Sequence, residues 1–250
     1  MNRAHPKGRP IPFPRLLSVE TRKLFDTRAG MVMTGILILV SLGAIVGRGL
    51  VTGPHWHTLV GTAGIGFGTL LPVLGILTVT NEWSHGTTLT TFALEPRRAR
   101  VLAAKCLPPL ILAVAASAFA MLVAVPVTAV IGRVQDVPAT WEVAPGALLA
   151  WTASNVLVVA MGLALGMLLL NAPAAIVICL STTVLWSVVS RLGAAGEALA
   201  GWLDLNTNAA SLMSGDMTGD DAARLATSML CWIAVPTAIG VVRTVRREVS

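Results

Sequence analysis

Residues 146 to 190 read GALLAWTASNVLVVAMGLALGMLLLNAPAAIVICLSTTVLWSVVS, without a single Asp, Glu, Lys or Arg. A surface helix of a soluble protein keeps a charged or polar face, and this stretch has none at either helical or strand spacing. Only Asn171, Ala172 and Pro173 part its halves, 146–170 and 172–190, which read as a tight helical hairpin. A helix of about 21 residues covers about 32 Å, close to the roughly 30 Å of a bilayer's hydrocarbon core. The hairpin is therefore expected to cross a membrane twice.

The rest of the chain agrees. Hydrophobic residues make up 55% of its 250 positions and charged ones 12%, half the roughly 25% of a soluble domain. Mean hydropathy is +0.78. Four further apolar runs, 30–50, 59–80, 102–131 and 226–242, complete six spans. The third is long enough to tilt, or to begin in the interface at Pro108-Pro109. Pro72, Pro126 and Pro236 fall inside spans, where neighbouring helices can satisfy the freed carbonyls. Cys106, Cys179 and Cys231 stand alone, without metal-type spacing or an even-numbered framework, and read as small packing residues. The fold class expected is an all-α integral membrane protein: six transmembrane helices preceded by an amphipathic interfacial helix.

Charge orients the spans. The pI near 10.2 would suit a nucleic-acid binder, but the basic residues cluster at the ends of apolar runs, which is a topology signal. With the N-terminus inside, seven of the eighteen Lys and Arg precede the first span, four lie in 81–105 and three follow the last span. Outside there remain Arg48, Arg133, Arg191 and Arg224. Both termini are thus expected in the cytoplasm, and the acidic loop 191–225, with Glu197, Asp204, Asp216, Asp220 and Asp221, outside. The polar, basic leader is too long for a signal peptide and lacks a cleavage site, so the first span is expected to stay as an anchor. The map is a cytoplasmic segment 1–29, a membrane domain 30–242 with a cytoplasmic loop 81–105, and a tail 243–250.

Two cytoplasmic pieces carry a pattern. In 13–28, FPRLLSVETRKLFDTR, the residues Phe13, Leu16, Leu17 and Leu24 share one helical face, with Arg15, Ser18 and Arg22 opposite. That suits a helix lying in the membrane surface. Glu20 falls in the middle of the apolar arc, where an acid is costly unless paired. It implies a basic contact at the base of a span or on a partner, or else a helix that rolls so that Glu20 reaches water. In 81–105, NEWSHGTTLTTFALEPRRARVLAAK, the residues Leu89, Phe92 and Ala93 mark one face of a short helix after Gly86, ended by Glu95-Pro96. Arg97, Arg98, Arg100 and Lys105 follow at the boundary of the third span. By spacing alone this is either a docking helix for another protein or an ordinary basic loop.

Asn81, Glu82, Gly86, Thr87, Pro96, Arg98, Ala104 and Lys105 together form a pattern that resembles the first cytoplasmic loop of type-2 ABC exporter permeases. Glu20-x-x-Lys23-Leu24 with Thr27-Arg28 resembles the family's interfacial connecting helix, and Trp232…Pro236…Gly240 with Arg246-Arg247-Glu248-Val249 resembles its ending. Trp83-Ser84-His85 matches no signature. The resemblance spans the whole chain. It implies a bacterial cytoplasmic-membrane permease that moves an amphipathic substrate outward, paired with a second permease copy or a paralogue. A separate ATPase subunit would hold ATP and magnesium, with no cofactor on this chain. Glu82, Gly86, Thr87, Leu89, Phe92, Pro96, Arg98 and Lys105 would couple to that ATPase, with Glu20 and Lys23 on the interfacial helix. The sequence contains no G-x-x-x-x-G-K-[ST] phosphate loop; the glycines of 61–68 lie in a span and carry no Lys.

Inside the spans, Gly64-x-x-x-Gly68 and Gly162-x-x-x-Gly166 are expected to bring helices close. Asn155, beside Thr152 and Ser154, is expected to hydrogen-bond a neighbouring helix or to line a path. Arg48 can snorkel outward. No span carries an acid or a lysine near its centre, which weighs against an ion-coupled secondary transporter. His55-x-His57 lacks the further ligands of a metal site. The segment 196–203 resembles the short re-entrant or surface helices that the family carries before its last span; as plain sequence it is a solvated loop. An ion-coupled transporter and a non-transporting membrane anchor are the alternative readings.

Overall fold

The computed structural model describes residues 12–84, 97–142, 144–213 and 217–246. Among them the chain is helical, with no strand; His55 and Thr140 form an isolated parallel bridge. In order the helices are α1 (Phe13–Asp26), α2 (Arg28–Thr52), α3 (Trp56–Thr62), α4 (Gly64–Ser84), α5 (Arg98–Gln135), α6 (Pro145–Leu169), α7 (Ala172–Val189), α8 (Ala194–Leu203), α9 (Leu205–Ala210), α10 (Gly219–Met229) and α11 (Val235–Arg246). A 3₁₀ turn at Ser211–Met213 follows α9, and a π turn at Leu230–Ala234 joins α10 to α11. Six stretches are long and apolar enough to cross a membrane: 28–52, 56–81, 99–135, 145–169, 172–189 and 219–244.

Helices α4 and α6 form the centre and pack most extensively on each other. All side chains from Leu71 to Ile76 are buried, as are those from Met161 to Met167. In lipid, apolar burial gives little net drive between spans, so close approach must come from small residues. Gly162 and Gly166 supply it. A Cβ on Gly162 would lie 2.6 Å from the Pro72 carbonyl, and one on Gly166 2.6 Å from Val79. The second-span pair behaves otherwise: Gly68 faces open space, and Gly64 meets just the Trp151 ring nitrogen, at 3.4 Å. Buried hydroxyls on Ser41, Thr80, Ser117 and Thr128 bond back to the carbonyl four residues earlier, within their own helices.

The turn between α6 and α7 shows why three residues suffice. Leu170 takes the left-handed conformation (φ 51°) and its amide donates to the Gly166 carbonyl, closing α6. Asn171 then opens α7 by accepting from the Ala174 amide, and Pro173 sits in the first turn. From α11, Arg243 Nη1 donates to the Leu168 carbonyl at 2.8 Å, satisfying an orphan acceptor at the negative end of α6.

Two spans differ from expectation. The third span is one 38-residue helix, α5, about 57 Å long, running unbroken through Pro108, Pro109 and Pro126. Within 191–225, the stretch 196–203 is helical, the first of its two readings, and the last span begins at Gly219 rather than 226. The apolar arc of α1 faces protein: Phe13, Leu16, Leu17, Glu20 and Leu24 turn toward α5 and α2, while Arg15, Ser18, Val19, Arg22 and Phe25 are exposed.

Candidate functional site: the junction of α1 with the base of α5

Local sequence builds the corner that places α1. Pro14 starts the helix in its first turn, where its missing amide costs nothing. Thr27 ends α1 in an extended conformation and caps α2, its hydroxyl accepting from the Gly30 amide at 3.1 Å. A Cβ on Gly30 would fall 1.8 Å from the Leu24 carbonyl, so α1 can fold across the start of α2 only over a glycine.

That corner brings Glu20 against the second turn of α5. Glu20 Oε2 accepts from Lys105 Nζ at 3.0 Å, and Oε1 accepts from Lys23 Nζ at 2.8 Å. Glu20 and Lys105 are each 5% exposed, whereas the Lys23 side chain is 45% exposed. Val101, Leu102 and Ala104 of α5 are buried beside them. The acid in the apolar arc is explained: it answers a lysine 85 positions away, and neither charge is left alone in a dry contact. The ammonium of Lys105 also sits near the positive end of α5, with no acid in that helix's first turn; Glu20 supplies the missing negative charge from outside.

Of the residues singled out in the sequence, the structure brings Glu20, Lys23 and Lys105 together. Gly86, Thr87, Leu89, Phe92 and Pro96 lie outside the described residues, as do the side chains of Glu82 and Arg98. Elsewhere, Asn155 Nδ2 donates to Ser117 Oγ at 3.1 Å, a buried link between α6 and α5. Cys106 is half-buried with its sulfur 4.0 Å from that of Met167, Cys179 is buried, and Cys231 is exposed. His55 Nδ1 meets Thr140 Oγ1 at 2.8 Å, and Gln135 reaches the Leu50 carbonyl at 3.0 Å, together tying the loop after α2 to the end of α5. Among the described residues no three His, Cys, Asp or Glu side chains gather as metal ligands would.

The sequence missed a polar cluster around α9. Asp204 is buried and caps α9, accepting from the Asn206 amide at 3.0 Å and from Thr207 Oγ1 at 2.6 Å. Asn206 Nδ2 reaches Thr183 Oγ1 of α7, and Ser154 Oγ of α6 donates to the Ala209 carbonyl at 3.0 Å. The signals were present, namely Asp204 before a short run and the Thr218-x-x-Asp221 capping box that opens α10. No protein-family model, curated protein or solved structure matches this chain.

Proposed function

We propose that this chain is the permease subunit of a type-2 ATP-binding-cassette exporter, set in a bacterial cytoplasmic membrane with both termini in the cytoplasm. A separate ATPase subunit binds ATP and magnesium and hydrolyses it. A second permease copy or a paralogue completes the path, and the cargo is amphipathic. The observation that carries this reading is the buried Glu20–Lys105 pair. It fastens α1 to α5, the helix that begins at Arg98, the last residue of the Gly86-Thr87…Pro96-x-Arg98 pattern. A load applied to that segment is then felt by α1 and α5 together, and through the Thr27 corner by α2. Six spans, with α4 and α6 clasped at the centre, supply the membrane body that such a load would move.

Co-purification tests the reading. Leu89→Asp with Phe92→Asp would remove two apolar anchors, each worth about 1.5–3 kcal/mol when buried. Binding to the partner ATPase is expected to fall by at least about tenfold, since each 1.4 kcal/mol is a factor of ten. The amount of permease in the membrane fraction should stay level, because neither residue lies in a span. Undiminished partner binding by the double variant, at equal permease level, would reduce the segment to a basic loop and remove the proposal's support.

A further inference from the structure

The last membrane stretch is built in two pieces that belong to different neighbours. Its inner piece, α11, is clasped to α6: a Cβ on Gly240 would lie 2.7–2.9 Å from Met167, and Arg243 holds the Leu168 carbonyl. Its outer piece, α10, packs chiefly on α8 and α9. Asn208 Nδ2 donates to the Arg224 carbonyl at 3.3 Å, Arg224 lies over the Trp202 ring at 5.8 Å, and a Cβ on Gly201 would meet Arg224 at 3.2 Å. By these contacts α8, α9 and α10 form a small body, in which α9 and the turn after it also pack on α6.

Both ends of that body are joints. At one end Gly193 takes φ +91° in open space, and Gly196 brings α8 against the Val189 carbonyl, where no side chain would fit. Two helix ends thus meet without a side chain to lock them. At the other end lies the π turn Leu230–Ala234, in which the Val235 amide donates to Leu230, five residues back. Pro236 follows it and has no amide to give to the preceding turn. A widened turn followed by proline is where a helix bends. The body's ties to the bundle include the bonds from Ser154 to Ala209 and from Asn206 to Thr183, the edge-on contact of Trp232 in the π turn with Trp186, and the packing of Leu205, Ala209 and Leu225 in one cluster with Met161, Leu165 and Cys179. Apolar packing of this kind has no fixed direction and can be remade after a slide.

We propose that α8, α9 and α10 move as one rigid body on the rim of the bundle, hinged at Gly193 and at the π turn with Pro236. The motion is a property of this chain, whatever drives it and whatever crosses it. A π turn holds one residue more than an α turn, so deleting Cys231, which is exposed, restores a regular helix while keeping both flanking faces in register.

Spin-label distances in lipid nanodiscs test the motion without any transport assay. Labels go on exposed Leu199→Cys of α8 paired with exposed Leu149→Cys at the rim end of α6, in a chain with Cys106, Cys179 and Cys231 replaced by Ala. The 149/199 pair should show two populations separated by about 5 Å, the scale of one helical turn. An internal pair, Leu199→Cys with Asp220→Cys, should show one narrow distance. Deleting residue 231 should collapse the 149/199 distribution to a single population; Pro236→Ala, which restores the amide, should narrow it if the deletion does not fold. A single narrow 149/199 distance in the undeleted chain would overturn the proposal, as would equal broadening of the internal pair. Unchanged breadth in the folded deletion or in Pro236→Ala would overturn the role of the π turn.

Discussion

Glu20 shows how one side chain can carry information about a distant part of the chain. An acid in an apolar arc is an anomaly at the level of the helix and is resolved only by Lys105. Removing one partner of a buried pair typically costs about 3–5 kcal/mol, because the other charge is stranded. The two ends are not equivalent here. Lys105→Met leaves Glu20 the ammonium of Lys23 at 2.8 Å, whereas Glu20→Leu removes a carboxylate that both lysines share. Thermal unfolding of the purified protein is expected to fall further for Glu20→Leu than for Lys105→Met. The double variant Glu20→Leu/Lys105→Met should recover part of the loss, since apolar replacement of a whole buried pair is often neutral. A double-variant loss equal to the sum of the two single losses would mean that the pair is not coupled.

At the scale of elements, glycine position decides which helices touch. Gly162 and Gly68 both sit in a small-x-x-x-small pattern, yet Gly162 lies against the Pro72 backbone and Gly68 faces open space. Gly162→Val should therefore separate α4 from α6 and destabilise the protein by about 1–3 kcal/mol or more, the usual range for overpacking. Gly68→Ala should leave the melting temperature within a degree or so of the parent, well inside the several degrees that about 1 kcal/mol moves a small domain. The sequence marked both motifs and could not rank them, because spacing says that a helix has a smooth face and not what lies opposite. The same limit applies to 191–225. Plain sequence made 196–203 a solvated loop and the resemblance made it a short helix, but neither showed that Asp204 spends its carboxylate on capping α9. By contrast the α6–α7 turn was legible, since Asn171 caps the next helix with its side chain, Pro173 starts its first turn, and neither needs a distant partner.

For the whole molecule, six spans were readable because the bilayer imposes one length and one polarity on every crossing segment. The arrangement of those spans was not, since lipid-facing and protein-facing apolar residues look alike; α4 and α6 became central through Pro72, Gly75, Gly162 and Gly166. Orientation rests on charge. By the sequence count, fourteen of the eighteen Lys and Arg are expected on one side of the membrane, and a basic residue near a span end favours the cytoplasm. Single cysteines at positions 97 and 217, both exposed in the structure, place the two faces on opposite sides of the membrane. In intact cells, in a chain with Cys106, Cys179 and Cys231 replaced, an impermeant maleimide is expected to label 217 and to spare 97 until the cells are opened. Reversed labelling would put the Glu20–Lys105 junction outside, beyond the reach of any cytoplasmic ATPase, and the proposed coupling would fall with it. The distance test on α8–α10 would still stand, because the joints at Gly193 and Pro236 belong to the fold and not to its orientation.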